Sequence, residues 1–244
     1  MLLLVRKTGW GEVTAEEIQN LLTDVTKQLL QHVQVEQDVK INIEPGKDDY
    51  PEVRYRNVSS DPYLVLLSAR NRKWSQYSYQ FAHELCHILS NYERLRLPQN
   101  KWFHECLCEL ASIFVLRQMA VTWQASPPYW NWASYSAALA SYAADILAQP
   151  ATTLPSGQSF QDWLGLNEPR LRADPYQRTL NRLVAVRLLP SFEQTPGIWR
   201  TIPFLPNSTA NLQLYLEEWA SACPESDRIY VQEVKAALFD LGAI

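Results

Sequence analysis

Residues 79–90 read YQFAHELCHILS and carry two of the chain's four histidines, His83 and His87, four residues apart. On a helix that advances about 100° per residue, Glu84 falls on the same side as both histidines. Two neutral imidazoles at this spacing can bind one zinc ion and leave room for a third ligand and a water. Glu84 is placed to contact that water rather than the ion. This H-E-x-x-H pattern predicts zinc-dependent peptide hydrolysis.

The predicted helix is amphipathic, because its apolar residues lie opposite the histidines. These residues are Phe81, Leu85, Ile88, Leu89 and Tyr92. The helix is therefore expected to bury one face and to offer the histidine face to a cleft. Zinc lowers the pKa of a bound water to about 7. Glu84 can then act as general base towards that water and as general acid towards the leaving amine.

The next predicted helix offers candidates for the third ligand in the segment HECLCE, residues 104–109. Glu105 and Glu109 are four residues apart, so both carboxylates lie on one face of the helix. The opposite side is apolar and contains Leu107, Leu110 and Phe114. Spacing alone leaves both glutamates open as the ligand, and Glu105 is preferred because a carboxylate follows it one turn later.

Cysteines in the two segments allow a separate thiolate site. Cys86, Cys106 and Cys108 could bind an ion together with His104. However, Cys106 and Cys108 lie about 160° apart around a helix, so they cannot easily share one ion. We expect all three cysteines to be buried small apolar residues.

The segment FAHELCHIL, residues 81–89, resembles the FxxAHELGHxL segment of ImmA/IrrE-type gluzincins, a branch of the zinc peptidases. The later glutamate pair resembles their second motif, and YLVLLSA, residues 63–69, resembles the strand that edges a zincin cleft. The resemblance covers about residues 40–120. It implies that Glu105 is the third zinc ligand and that Glu109 orients His83 through the far nitrogen of its ring.

The elements that must position these residues form a mostly helical α+β pattern. Residues 2–5, 39–45 and 63–69 have the composition of strands. Thr14 and Glu17 form a capping-box sequence ahead of a helix that runs to about residue 33. Further helices are predicted over residues 75–92, 101–121, 129–148, 173–189, 208–222 and 227–241. We expect a zincin-like core with a small mixed β-sheet, the histidine helix and the ligand-glutamate helix, followed by an α-helical C-terminal part.

Residues 149–158, QPATTLPSGQ, are the best linker candidate. They separate a predicted zincin-like metallopeptidase domain, residues 1–150, from an α-helical C-terminal region, residues 159–244. The C-terminal region carries no catalytic pattern, and its arginines are expected on a solvated face. They are Arg170, Arg172, Arg178, Arg182 and Arg187.

Aromatic residues cluster after the ligand-glutamate helix, at Trp123, Tyr129, Trp130, Trp132 and Tyr135. They could form a wall or lid of the cleft, and a tyrosine among them could donate to the developing oxyanion. Packing between helices is the simpler expectation, because large aromatics dominate protein cores.

Charge and composition limit the partners. With 22 Lys and Arg against 26 Asp and Glu, the net charge of -4 argues against binding to nucleic acid or to anionic lipid. The sequence shows no apolar run of about eighteen residues that would predict a membrane helix. The N-terminal apolar stretch is too short for a signal peptide. The cysteine spacing is not that of a disulfide framework. We therefore expect a cytoplasmic protein without membrane partners, and its oligomeric state is not indicated.

The sequence as a whole predicts a single-zinc metallopeptidase of gluzincin type that acts on a peptide or protein. The alternative is a non-catalytic zinc protein whose helical half is a protein-interaction module. A catalytic zinc keeps one position for water, whereas a structural zinc is closed by a fourth protein ligand. The two possibilities therefore differ in how many protein ligands the ion has.

Overall fold

The structure is a computed structural model and describes residues 1–35, 39–56, 58, 60–91, 93 and 98–239. Helices make up 63% of the described residues, and a small four-stranded sheet accompanies them. This confirms the predicted α+β class, its helical majority and its small mixed sheet.

The sheet is formed by β1 (Leu2–Val5), β2 (Lys40–Pro45), β3 (Glu52–Arg54) and β4 (Tyr63–Leu67). The strand order is β1-β2-β4-β3, with β1 and β4 parallel to β2 and with β3 antiparallel to β4. In one row across the sheet, Ile43 of β2 pairs with Val65 of β4, which pairs with Val53 of β3. All three side chains are buried, as alternation along a half-buried strand requires. Strand β3 was not predicted, because three residues are too few to show alternation.

The described residues contain eight α-helices, which are about three to six turns long. They are α1 (Ala15–Leu30), α2 (Trp74–Leu89), α3 (Lys101–Thr122), α4 (Ser136–Leu147), α5 (Phe160–Ala173), α6 (Arg178–Gln194), α7 (Leu212–Ala222) and α8 (Arg228–Phe239). Short 3₁₀ helices cover Pro98–Asn100, Trp130–Tyr135, Pro150–Thr152, Pro196–Phe204 and Glu225–Asp227. Among the described residues, no helix combines the length and the apolar character needed to cross a membrane.

Several helical predictions differ from the structure. The helix predicted over residues 129–148 begins at Ser136, after a 3₁₀ helix, and the one predicted from residue 208 begins at Leu212. Helix α5 was missed because Gly165 and Pro169 interrupt its sequence, yet Ser159 caps it by accepting from the N–H of Asp162, and Trp163 is buried. The helix predicted from residue 173 begins at Arg178 instead. The capping box of Thr14 and Glu17 is confirmed. Tyr92 and residues 240–241, which were predicted to end two helices, lie outside the described residues.

The chain divides into two compact units. The first contains residues 1–88 and 111–144, and so includes the sheet, α1, most of α2 and the later part of α3. The second contains residues 89–110 and 145–244, and so includes the earlier part of α3 and helices α5 to α8. Both divisions near the predicted site fall inside a continuous helix, α2 or α3.

The aromatic cluster of the first unit is a packed layer. Trp132 stacks on Trp123 with ring centroids 5.5 Å apart and contacts Tyr129 at 4.8 Å. Trp123 is fully buried and donates its indole N–H to the carboxylate of Asp24 at 2.7 Å. The expected packing role is confirmed for these rings. Trp130 differs, because 89% of its side chain is exposed.

Helix α2 is attached to two other elements through the adjacent residues Tyr79 and Gln80, in the turn that precedes His83. The side-chain oxygen of Gln80 accepts from the N–H groups of Ser68 and Ala69, just after β4. On the following helix, Ser112 donates its hydroxyl to the carbonyl of Tyr79 at 2.9 Å. In an α-helix that carbonyl also accepts from the N–H of the residue four positions on, which is His83. Ser112 therefore links α3 to the turn that presents His83.

Replacing Ser112 by Ala is expected to lower the free energy of unfolding by about 1 kcal/mol, because it removes a buried bond between two helices. Ser78→Ala is the matched control. Ser78 is equally buried, but it donates to the carbonyl of Trp74 within its own helix, and such local bonds add little to stability. Urea denaturation of both variants measures the difference. Equal losses would contradict the linking role of Ser112.

Candidate metal centre

The two histidine rings of α2 lie side by side. The rings of His83 and His87 have centroids 4.9 Å apart and meet edge to face at 75°. His87 is buried, His83 is half-buried, and Glu84 between them is only 4% exposed. The histidine pair therefore retains contact with solvent on the His83 side, while the carboxylate beside it is shielded.

The earlier part of α3 is held by the helices of the second unit. His104 shares a hydrogen bond of 2.8 Å with the hydroxyl of Tyr215 on α7. Cys106 donates its S–H to the side-chain oxygen of Asn181 on α6. Both side chains of α3 are almost fully buried. These contacts fix how the earlier part of α3 is rotated about its own axis within the second unit.

The structure brings the two histidines together with Cys108, not with a carboxylate. One possible ligand atom from each of His83, His87 and Cys108 lies within 4.8 Å of the other two. Tetrahedral ligands at about 2.0–2.3 Å from one zinc ion are about 3.3–3.8 Å apart. The three side chains therefore need to close by no more than about 1.5 Å to bind an ion. Two imidazoles and a thiol fit zinc by chemistry, and the group could hold a metal ion.

The predicted ligand Glu105 lies on the same helix, one turn before Glu109, and is 9% exposed. Among the described residues, it does not belong to the group whose ligand atoms come within 4.8 Å of one another. Its role as the third ligand stays a prediction. The hydrogen bond from Glu109 to His83 that the family resemblance implies also stays a prediction.

Cys108 is fully buried, as expected of a packing residue, but its sulfur also lies within 4.8 Å of ligand atoms of both histidines, which was not predicted. The signal was present in the sequence, since Cys108 follows Glu105 by three residues and so lies on the same face of α3. Cys106 does behave as expected. Burial, and then the nearby carboxylates of Glu105 and Glu109, raise the pKa of its thiol well above the usual value. Cys106 therefore stays protonated, which suits its bond to Asn181.

Glu109 is neutralised by an arginine that the sequence placed in solvent. Arg182 of α6 donates Nε to one carboxylate oxygen of Glu109 at 2.5 Å, and the two side chains are 12% and 2% exposed. The Nε of Arg178 is 3.9 Å from the other oxygen, with 63% of that side chain exposed. The expectation of a fully solvated arginine face is thus wrong for Arg182. No periodicity reveals the pair, because 73 residues separate its members.

Replacing Arg182 by Met is expected to lower the free energy of unfolding by about 3–5 kcal/mol, because it leaves the carboxylate of Glu109 buried without its counter-charge. Arg178→Met removes an exposed partner of the same carboxylate, and its expected cost is about 0–1 kcal/mol. Denaturant titrations at pH 7 compare the two variants. Equal effects would show that Arg182 is not the residue that neutralises Glu109.

No protein-family model, curated protein or solved structure matches this chain.

Proposed function

We propose that the chain is a zinc-dependent metallopeptidase whose metal is held by His83, His87 and a residue of α3. In this proposal the first unit has a zincin-like core, in which β4 precedes the histidine helix α2. The reaction is hydrolysis of a peptide bond in a peptide or protein substrate. The cytoplasm is the proposed compartment, which agrees with four cysteines that form no disulfide with one another in the described residues.

The observation that carries the proposal is the approach of three side chains that can bind a metal, two of them on a helix that also carries a buried glutamate. His83 and His87 present imidazoles from one turn of α2, and Cys108 lies within 4.8 Å of both. Glu84 follows His83 directly and is 4% exposed. Buried metal-binding groups of this kind are typical of a built site rather than of a chance surface cluster.

The bound zinc would supply a water made acidic enough to react at neutral pH. Glu84 would accept a proton from that water and later deliver it to the amine of the departing peptide. General acid–base catalysis of this kind contributes about 10²–10⁴-fold to the rate. The shielded position of Glu84 supports this role, because few solvent molecules compete for its carboxylate.

Two glutamates of α3 complete the proposed gluzincin arrangement. Glu105 is the ligand that the family resemblance implies, and Glu109 is its implied partner for the ring of His83. Arg182 binds one oxygen of Glu109, and the Nε of Arg178 lies 3.9 Å from the other oxygen. A carboxylate held in this way would keep the histidine in one tautomer and orientation.

A specific observation also favours a non-catalytic alternative. If Glu105 and Cys108 both bound the ion, His83 and His87 would bring the number of protein ligands to four. A tetrahedral zinc ion would then have no position for water, and the site would be structural. In that case the helical second unit would serve as a surface for protein binding. The choice between the two functions depends on whether Glu84 matters for hydrolysis or only for folding.

Metal analysis of the purified protein tests the site. We expect one zinc per chain in the wild type and a loss of zinc in His83→Ala and His87→Ala, because each substitution removes a ligand. His32→Ala is the control, since His32 packs against Phe114 in the same unit and is not part of the group. A metal-free wild type, or full zinc content in both site variants, would refute the proposal.

Glu84→Gln separates catalysis from structure. We expect it to keep its zinc and its stability while peptide cleavage falls about 10²–10⁴-fold, because an amide cannot take the proton. Cleavage of a casein digest or a peptide library, followed by mass spectrometry, measures the activity. Glu12→Gln, at an exposed position of the same unit, is the control. Unchanged cleavage by Glu84→Gln would exclude the proposed mechanism, and a zinc-loaded wild type without cleavage would favour the structural alternative.

A further inference from the structure

We propose that the thiolate of Cys108 is itself a metal ligand, in the position that the family resemblance gives to Glu105. This inference rests on the proposed metal centre, but it changes the ligand set from two histidines and a carboxylate to two histidines and a thiolate. It concerns a residue that neither the H-E-x-x-H pattern nor the glutamate pair points to.

The level of Cys108 along α3 follows from a contact inside the first unit. Ser112 donates to the carbonyl of Tyr79 and so sets these two residues side by side. Both helices rise about 1.5 Å per residue. One turn back along α3 from Ser112 is Cys108, and one turn on along α2 from Tyr79 is His83. Cys108 and His83 are thus each one turn away from the contact of Ser112 with Tyr79, and their ligand atoms lie within 4.8 Å of each other.

The burial of the group agrees with a thiolate bound to a cation. Cys108 has no exposed surface, and His87 is 5% exposed. A buried thiolate is costly unless a positive charge faces it. A zinc ion held by one thiolate and two neutral imidazoles would supply that charge and would keep a single net positive charge. The buried carboxylate of Glu84 would compensate this remaining charge without becoming a ligand.

A thiolate in the ligand set has two chemical consequences. First, three protein ligands leave one position for water, so the site stays compatible with hydrolysis. Catalytic zinc sites with cysteine ligands of this kind are known. Second, a soft thiolate favours zinc over magnesium, calcium and manganese, which prefer oxygen ligands. The site is therefore expected to select zinc more strongly than a site closed by the carboxylate of Glu105.

Replacement of zinc by cobalt(II) tests the thiolate directly, because a thiolate bound to cobalt gives an intense charge-transfer absorption in the near ultraviolet. The full-length protein is loaded with one equivalent of Co²⁺ after removal of its native metal. We expect this absorption in the wild type and in Glu105→Gln, and its loss in both Cys108→Ser and Cys108→Ala. Cys106→Ser is the matched control, because Cys106 is two residues away and equally buried.

Competition with a zinc chelator gives a second readout. Cys108→Ser removes a direct ligand and should weaken zinc binding by more than about 100-fold. Mutation of a residue that only hydrogen-bonds to a ligand already lowers metal affinity by about 10–100-fold. Cys106→Ser should bind zinc as the wild type does, and Glu105→Gln should lose less than about tenfold.

The outcomes separate this inference from the proposed function. Stoichiometric cobalt without the thiolate absorption in the wild type would overturn the role of Cys108 and leave the histidine site standing. Absorption that survives in both Cys108 variants would also overturn it. A wild type that binds neither cobalt nor zinc would overturn both proposals. The wild-type spectrum alone decides the matter if a Cys108 variant fails to fold.

Discussion

The register between α2 and α3 is the constraint on which the candidate site depends. The histidines belong to one helix and their possible partners to another, so a slip of one residue would move every ligand by about 1.5 Å and turn it by about 100°. A metal site tolerates only small errors in its ligand distances. The hydroxyl of Ser112 on the carbonyl of Tyr79 opposes such a slip next to His83. Gln80 fixes the same turn of α2 against the end of β4.

The rotation of α3 about its axis is set by a different group of contacts. In the second unit, Tyr215, Asn181 and Arg182 bind three residues of α3, namely His104, Cys106 and Glu109. The ion pair of Arg182 and Glu109 is the strongest constraint among them, because breaking it would leave a buried charge. The C-terminal helices therefore hold the earlier part of α3 within the second unit, although they carry no catalytic pattern of their own.

Local signals account for most of the fold that was predicted correctly. The capping box of Thr14 and Glu17, the alternation in β2 and the helical period around His83 depend on residues close together in the sequence, and the structure confirms these elements. The wrong predictions have a common cause, because each concerns a residue or element that depends on contacts between distant parts of the sequence. Strand β3 exists because β4 pairs with it, α5 forms despite Pro169 because Trp163 and its neighbours are buried, and Arg182 is buried because it meets Glu109. The approach of Cys108 to the histidines is also a tertiary contact. Sequence periodicity places Cys108 on the correct face but cannot choose between a thiol and a carboxylate as the ligand.

We expect a metal ion to be bound by the histidine pair, and zinc-edge X-ray absorption of the purified protein identifies its ligand atoms. The predicted spectrum contains one zinc per chain, with two imidazole nitrogens at about 2.0–2.1 Å and one sulfur at about 2.3 Å. A shell of oxygen in place of the sulfur would restore Glu105 as the third ligand and leave the histidine pair intact. Protein without zinc, or zinc without scattering from imidazole, would contradict the central claim.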